Sequence, residues 1–238
     1  MKRKTAVVCL IAFMSLFPST GWCQGGAVLF REDFHDLAQW KPLLFPKIQQ
    51  HSVYTVVTEG DSSYLRAESN ASASGIIFNR EFDVFAYPKV RWRWKIANIY
   101  RKGNAEEKSG DDYPIRIYII FKYDPETAPF GQRLKYGIAK TIYGEYPPHS
   151  SLNYVWANRK YPQRIITNPY AAEAKMILLE AGTEKVGHWV DEEVDIIRDY
   201  RDAFGIMPPG TASIAIMNDS DNTGERSVSY VDYIEVYK

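Results

Sequence analysis

A run near the C-terminus, Ser213-Ile214-Ala215-Ile216-Met217-Asn218-Asp219-Ser220-Asp221-Asn222-Thr223-Gly224, joins an apolar strand to closely spaced oxygen-bearing side chains. Asp-x-Asp-x-Thr behind a strand is how haloacid-dehalogenase-type phosphatases place a nucleophilic Asp and an acid/base Asp. That chemistry needs a parallel α/β domain downstream, and only 14 residues follow Gly224. The topology argues against it. The same string puts Asp219, Asp221 and Thr223 at positions 1, 3 and 5 of a calcium loop, with Gly224 at position 6. An EF-hand needs a bidentate acid at position 12, and Tyr230 stands there. A looser oxygen site and a plain hairpin turn both remain open, since Asp, Asn and Gly are ordinary turn residues.

Three other groups could carry chemistry. Asp111 and Asp112 begin a strand. Adjacent strand residues point to opposite faces, so both serve one site only if the chain bends there. A turn or a salt bridge to Lys108 or Arg116 is the alternative. Glu32, beside Asp33 on the first strand, and Asp232 on the last could hold a structural calcium or form a hydrogen-bonded pair. Trp156 and Tyr118, with Arg116, could line a sugar-stacking groove, because aromatic faces beside fixed donors suit carbohydrate recognition. Core packing is the other reading of Trp156, and the expected role of Trp92 and Trp94.

Support for catalysis is thin. His35, His51, His149 and His188 are scattered without metal-ligand spacing. No Gly-x-Ser-x-Gly elbow and no phosphate-binding glycine loop occurs. Glu173, Glu180, Glu192 and Glu193 are present, but sequence places no two of them across a cleft as a glycosidase requires.

The elements that must hold these residues are strands. Val90, Trp92, Trp94 and Ile96 alternate with Arg91, Arg93 and Lys95, and Tyr113, Ile115, Ile117, Ile119 and Phe121 alternate likewise. A period of two marks a strand with one buried face. Further short strands are expected at 27–34, 52–58, 63–67, 75–78, 81–85, 136–142, 152–158, 189–194, 213–217 and 228–237. Residues 158–170 read as irregular, and 175–180 as a strand or a helix end. Residues 195–204 have helical spacing before Gly205 and Pro208. The expectation is an all-β, antiparallel two-sheet sandwich, jelly-roll-like, with one short helix in the C-terminal third. On the last strand Asp232 falls in phase with Val228, Tyr230, Ile234 and Val236, where a bare carboxylate would be costly.

Lys2, Arg3 and Lys4 precede an apolar run, Thr5 to Phe17, broken by Pro18. This reads as a signal peptide over residues 1–25, so the protein is expected to be exported, periplasmic or secreted. A lipid anchor on Cys23 is the weaker alternative, because Trp22 sits where a small residue is wanted. Residues 27–238 form one domain with no disulfide, and nothing after residue 26 is long and apolar enough to cross a membrane as a helix. Formal net charge is zero over the chain, which does not suggest nucleic acid.

With these residues named, the chain resembles the bacterial family called domain of unknown function 3047, from about Val28 to Lys238. The resemblance rests on Phe30-Arg31-Glu32-Asp33-Phe34, Trp92-x-Trp94, Gly110-Asp111-Asp112 running into Arg116-Ile117-Tyr118, and Tyr154-x-Trp156. Asn168-Pro169-Tyr170, Phe204-Gly205 and Asp219-x-Asp221-Asn222-Thr223-Gly224 complete it. It implies an exported sandwich similar in outline to carbohydrate-binding modules and transfers no catalytic role. The expected function is non-catalytic binding of a carbohydrate or other cell-envelope component. The expected contact surface is Asp111, Asp112, Arg116, Tyr118, Trp156, Asp219 and Asp221. A polysaccharide hydrolase or lyase on the same scaffold, or a structural or partner-binding periplasmic protein, is the alternative.

Overall fold

The computed structural model describes residues 26–238 apart from 127, 129, 132, 134, 135, 137–139 and 141–145. The expected signal peptide and its cleavage site lie outside the described residues. The strands, in chain order, are β1 (Val28–Glu32), β2 (Trp40–Leu43), β3 (Val53–Glu59), β4 (Ser62–Asn70), β5 (Ala73–Asp83), β6 (Lys89–Ile96), β7 (Arg116–Phe121), β8 (Ser150–Ala157), β9 (Ile165–Thr167), β10 (Ala174–Ala181), β11 (Val190–Asp195), β12 (Thr211–Asp219) and β13 (Arg226–Tyr237). A short helix, α1 (Ile196–Phe204), falls between β11 and β12. One sheet runs β11-β6-β13-β4-β3, with β1 also paired to β13; the other runs β2-β5-β12-β7-β8-β10-β9. The fold is the jelly-roll-like sandwich the alternation implies.

The alternation also builds the core. Val90, Trp92, Trp94 and Ile96 are all fully buried. From the facing sheet, Tyr154 meets Trp92 at 5.3 Å between ring centroids and Trp156 meets Trp94 at 6.0 Å. Ile117, Ile119, Ile214 and Ile216 fill the same layer. Tilted aromatic pairs at such distances add to the burial of apolar surface, which is the main driving force for closing two sheets. The helix closes one side of this core. Asp195 caps it by accepting the Arg198 N–H at 3.0 Å, and Gly205 ends it at φ 73°, where a side chain would be strained. Tyr200 packs edge-on against Phe121 at 4.6 Å.

Some elements depart from the sequence reading. Phe130, Gly131, Arg133, Tyr136 and Lys140 have helical backbone, where a strand was expected at 136–142. β2 and β9, each shorter than five residues, carry too little periodic signal to be seen. The strands expected at 75–78 and 81–85 are one continuous strand, β5, which ends at Asp83, with Val84 and Phe85 in the turn beyond it. β10 is a strand and runs parallel to β8, because the intervening segment with β9 carries the chain back across the sheet. Asp232 sits at a bulge between Val231 and Tyr233. The bulge shifts the inward phase from Val231 to Ile234, so Asp232 leaves the core face and bonds Arg93 at 3.3 Å.

The outer face of the second sheet positions everything that follows. Arg116 and Tyr118 on β7, Asn153 on β8, Met176 on β10 and Met217 and Asp219 on β12 alternate with the core residues. Part of this face is covered by segments 99–114 and 158–170, whose Ala105, Tyr113 and Ile166 form a second apolar cluster with Val155 and Met176.

Glu192 on β11 supplies a test of the first sheet. Its Oε1 accepts the Trp94 indole N–H at 3.2 Å, and burial, with Glu180 adding, raises its pKa to about 7. A free glutamate titrates near about 4.3. The folded state therefore holds this proton more tightly, and the associated stability is full below about pH 4 and lost as pH rises through about 7. Glu192→Gln keeps the acceptor and removes the charge. Thermal melts are expected to show a gain of roughly 2–4 °C at pH 8 and none at pH 4; an equal change at both would contradict the assignment.

Candidate binding site

Arg116 opens β7 with only 3% of its surface exposed. Its Nε donates to Asp219 Oδ1 at 2.9 Å, and its Nη2 pairs with Asp219 Oδ2. Nη1 reaches Asp111 Oδ1 at 3.4 Å, and Nη2 also donates to the Asp111 carbonyl at 2.5 Å. The guanidinium lies 4.5 Å from the centre of the Tyr113 ring. Planar, bidentate geometry of this kind is the favourable way to bury an arginine.

The two neighbouring aspartates diverge, and they do so from the segment before β7, not from the strand start the sequence suggested. Asp111 turns to Arg116 and accepts the Asn168 amide at 2.8 Å. Asp112 turns to the loop after β12, accepting the Thr223 N–H at 2.6 Å and the Asn222 side-chain amide at 3.0 Å. The chain bends just before them, in a 3₁₀ turn over Lys108–Gly110. A Cβ on Gly110 would lie 2.4 Å from the Asn104 backbone nitrogen, so the turn closes only with glycine.

These groups border an open cavity of about 770 Å³ on the outer face of the second sheet. Arg116, Asn153 and Asn168 lie along its floor, with Asp111 and Asp219. Phe45, Ile48, Tyr118, Tyr170 and Met217 supply apolar wall, and Asp221, Asn222 and Lys47 also line it. Tyr170 is 57% exposed, and its hydroxyl bonds Asn222 Oδ1 at 2.6 Å. The Tyr118 hydroxyl rests on the Met217 sulfur at 3.2 Å.

Burial works against the charge of Arg116, yet Asp219 and Asp111 hold its pKa well above the usual value. Asp219 is raised, first by burial and then by Asp112 and Asp111, while Arg116 pulls the other way. Asp111 and Asp221 are raised too, burial again leading. Oxygens of Asp112, Asp219 and Asp221 lie within 4.8 Å of one another. Such hard carboxylate donors suit calcium. Both oxygens of Asp219 are, however, already held by Arg116, and both of Asp112 by N–H groups.

Of the seven contact residues expected from sequence, Asp111, Arg116, Tyr118, Asp219 and Asp221 line this one cavity, and Asp112 anchors the loop beside it. Trp156 is a correction. It is fully buried between the sheets, its N–H donates to the Gly182 carbonyl at 3.1 Å, and it stacks no ligand there. Its phase with Leu152 and Tyr154 on β8 fixes this. Glu32 and Asp232 have separate partners: Glu32 accepts the Phe34 N–H at 2.6 Å and the Trp40 indole at 3.2 Å, while Asp232 takes Arg93. Sequence reasoning missed Asn153, Asn168, Tyr170 and the 45–48 segment. Asn168-Pro169-Tyr170 was visible as a string, but its position in an irregular stretch gave no direction to its side chains.

Removing the cation should expose what the ion pair does. Arg116→Leu leaves two buried carboxylates without a counter-charge and is expected to cost about 3–5 kcal/mol in urea unfolding. Adding Asp219→Asn should return part of that loss. A double variant no more stable than Arg116→Leu alone would contradict the ion-pair account.

The sequence profile described as "Protein of unknown function (DUF3047)" matches residues 38–235. No curated protein matches the chain. Among solved structures, the family 11 carbohydrate-binding module of the cellulase Lic26A-Cel5E of Clostridium thermocellum is similar, at TM-score 0.44 and 12% identity, covering 90% of this chain and 94% of that one. The xyloglucanase domain of NopAA, a type three effector from Sinorhizobium fredii in complex with cellobiose, gives TM-score 0.41 and 9% identity over 84% of this chain and 93% of that one. Endoglucanase 3 of Trichoderma harzianum gives 0.40 and 8% over 84% and 99%. Scores and identities of this size decide nothing about ligand or activity.

Proposed function

The chain belongs to the DUF3047 family, whose description names no activity, and from that footing we propose that it binds a carbohydrate in the cavity on its second sheet without cleaving it. The observation that carries this reading is the cavity's make-up. Tyr170 offers an exposed ring and Tyr118 a partly exposed one, while Asn153, Asn168 and the Asp111–Arg116–Asp219 group make a polar floor beneath them. Sugars present both a C–H face and a fan of hydroxyls, so they are held by a ring on one side and fixed hydrogen-bonding groups on the other.

The acids speak against hydrolysis. A glycosidase needs two carboxyl groups on opposite sides of the bond, at least about 5 Å apart. Here Asp112, Asp219 and Asp221 crowd within 4.8 Å on one side, and Asp111 and Asp219 are spent on Arg116. The charged and apolar order of residues 2–17 supports export, with residues 1–25 removed as a leader.

A glycan array followed by calorimetry tests the binding. Tyr170→Ala is expected to weaken the best ligand roughly tenfold by loss of ring contact with little change in melting temperature, and Tyr118→Ala to do the same with a lower melting temperature, because that ring is partly buried on β7. Binding to no glycan, or binding indifferent to both substitutions, would sink the proposal. Release of shortened oligosaccharide during the incubation would replace it with the hydrolase reading.

A further inference from the structure

Two acceptors of the cavity, on Asn153 and Asp221, are left open or nearly so among the described residues. Asn153 lies mid-strand on β8 with 1% of its surface exposed, between Tyr118 and Met176 in the ladder, and it lines the cavity. Its Oδ1 accepts no hydrogen bond from the described residues. A buried acceptor left unmatched is costly, and a ligand donor would remove that cost.

Charge leans the same way. Four carboxylates, Asp111, Asp112, Asp219 and Asp221, meet one guanidinium, and among the described residues Arg116 pairs with Asp111 and Asp219. Asp221 is exposed at the rim, where its contact is the Asn222 amide at 3.5 Å. Among the described residues no lysine or arginine forms an ion pair with it. Lys47, exposed, also lines the cavity, and the Lys108 ammonium lies 5.2 Å from the Tyr170 ring centre.

Resting on the carbohydrate reading above, we propose that the ligand is a glycan with free, protonated amino groups, as in a de-N-acetylated glucosamine polymer. One ammonium sits against Asp221, and a donor of the same chain reaches Asn153 Oδ1. An ammonium carries three donors and no acceptor, which complements the two open acceptors. A uronate, sulfate or phosphate would bring further negative charge to this end of the sandwich and is disfavoured. A neutral glycan satisfies Asn153 but leaves Asp221 uncompensated. A divalent cation would have to displace Arg116 from Asp219 or the Thr223 and Asn222 amides from Asp112.

The test is calorimetry with four tetramers, of glucosamine, N-acetylglucosamine, glucose (cellotetraose) and galacturonate, at about pH 6 with chelator. The glucosamine tetramer is expected to bind about tenfold more tightly than cellotetraose, the size of one charge-assisted hydrogen bond. Asp221→Asn should erase that advantage, and Asn153→Ala should weaken both. Equal affinity for the two, or tighter binding of galacturonate, overturns this inference and leaves the carbohydrate reading standing. Failure of all four to bind overturns this inference and counts against that reading as well. Binding of the glucosamine tetramer only once calcium replaces chelator assigns the acids to a metal and overturns the amine.

Discussion

An arginine with 3% of its surface exposed stays charged only where its partners replace water. Arg116 has three such partners, two carboxylates and a backbone carbonyl; two belong to nearby Asp111 and the third to distant Asp219. Asp111 belongs to the segment before β7, and Asp219 closes β12, 103 positions after Arg116. Asn168 then ties the 158–170 segment to Asp111. One cation thus holds three loops in register. Burying it stabilises the fold less than an apolar side chain of the same volume could. Its contribution is positional: it fixes where Tyr170, Asn222 and Asp221 stand around the cavity.

That role is possible because the sandwich beneath it is rigid. Trp92, Trp94, Tyr154 and Trp156 interlock between the sheets, and Ile117, Ile119 and Phe121 of β7 with Ile214 and Ile216 of β12 fill the remaining core. The opposite phase of the same strands then points outward as a set. Below the acidic loop a second layer of polar contacts joins the sheets. Asn218 donates to the Ala67 carbonyl and to Ser229 at 3.1 Å each, and the Tyr100 hydroxyl meets Ser69 at 2.7 Å. The loop carrying Asp219 and Asp221 is therefore pinned at its base, and the cavity has a firm floor and an exposed rim.

How much of this the sequence carried depends on the length of each pattern. The alternations in 90–96 and 115–121 run long enough to assign their faces, and the core follows from them. The last strand misleads because a bulge at Asp232 changes phase without leaving a mark in residue type. Trp156 is in phase with Leu152 and Tyr154, so its burial was readable, yet a chemical role for tryptophan was set against it. Asp111, Arg116 and Asp219 could be suspected singly as charged residues flanking strands. Their meeting depends on sheet order, β12 beside β7, which local pattern does not encode. Asn153 looks in sequence like any polar residue on a solvent face; only the loops that cover it make its oxygen conspicuous.

Native-state hydrogen exchange on Arg116→Lys would test most directly whether one cation organises the site. A lysine keeps the charge but cannot grip both carboxylates in a plane. The amides of Tyr113 and Thr223, which donate to Asp219 and Asp112, should lose protection together, while those of β6 and the centre of β13 keep theirs. Unchanged protection at Tyr113 and Thr223, or an equal loss across both sheets, would contradict the view that Arg116 holds the loops rather than the fold.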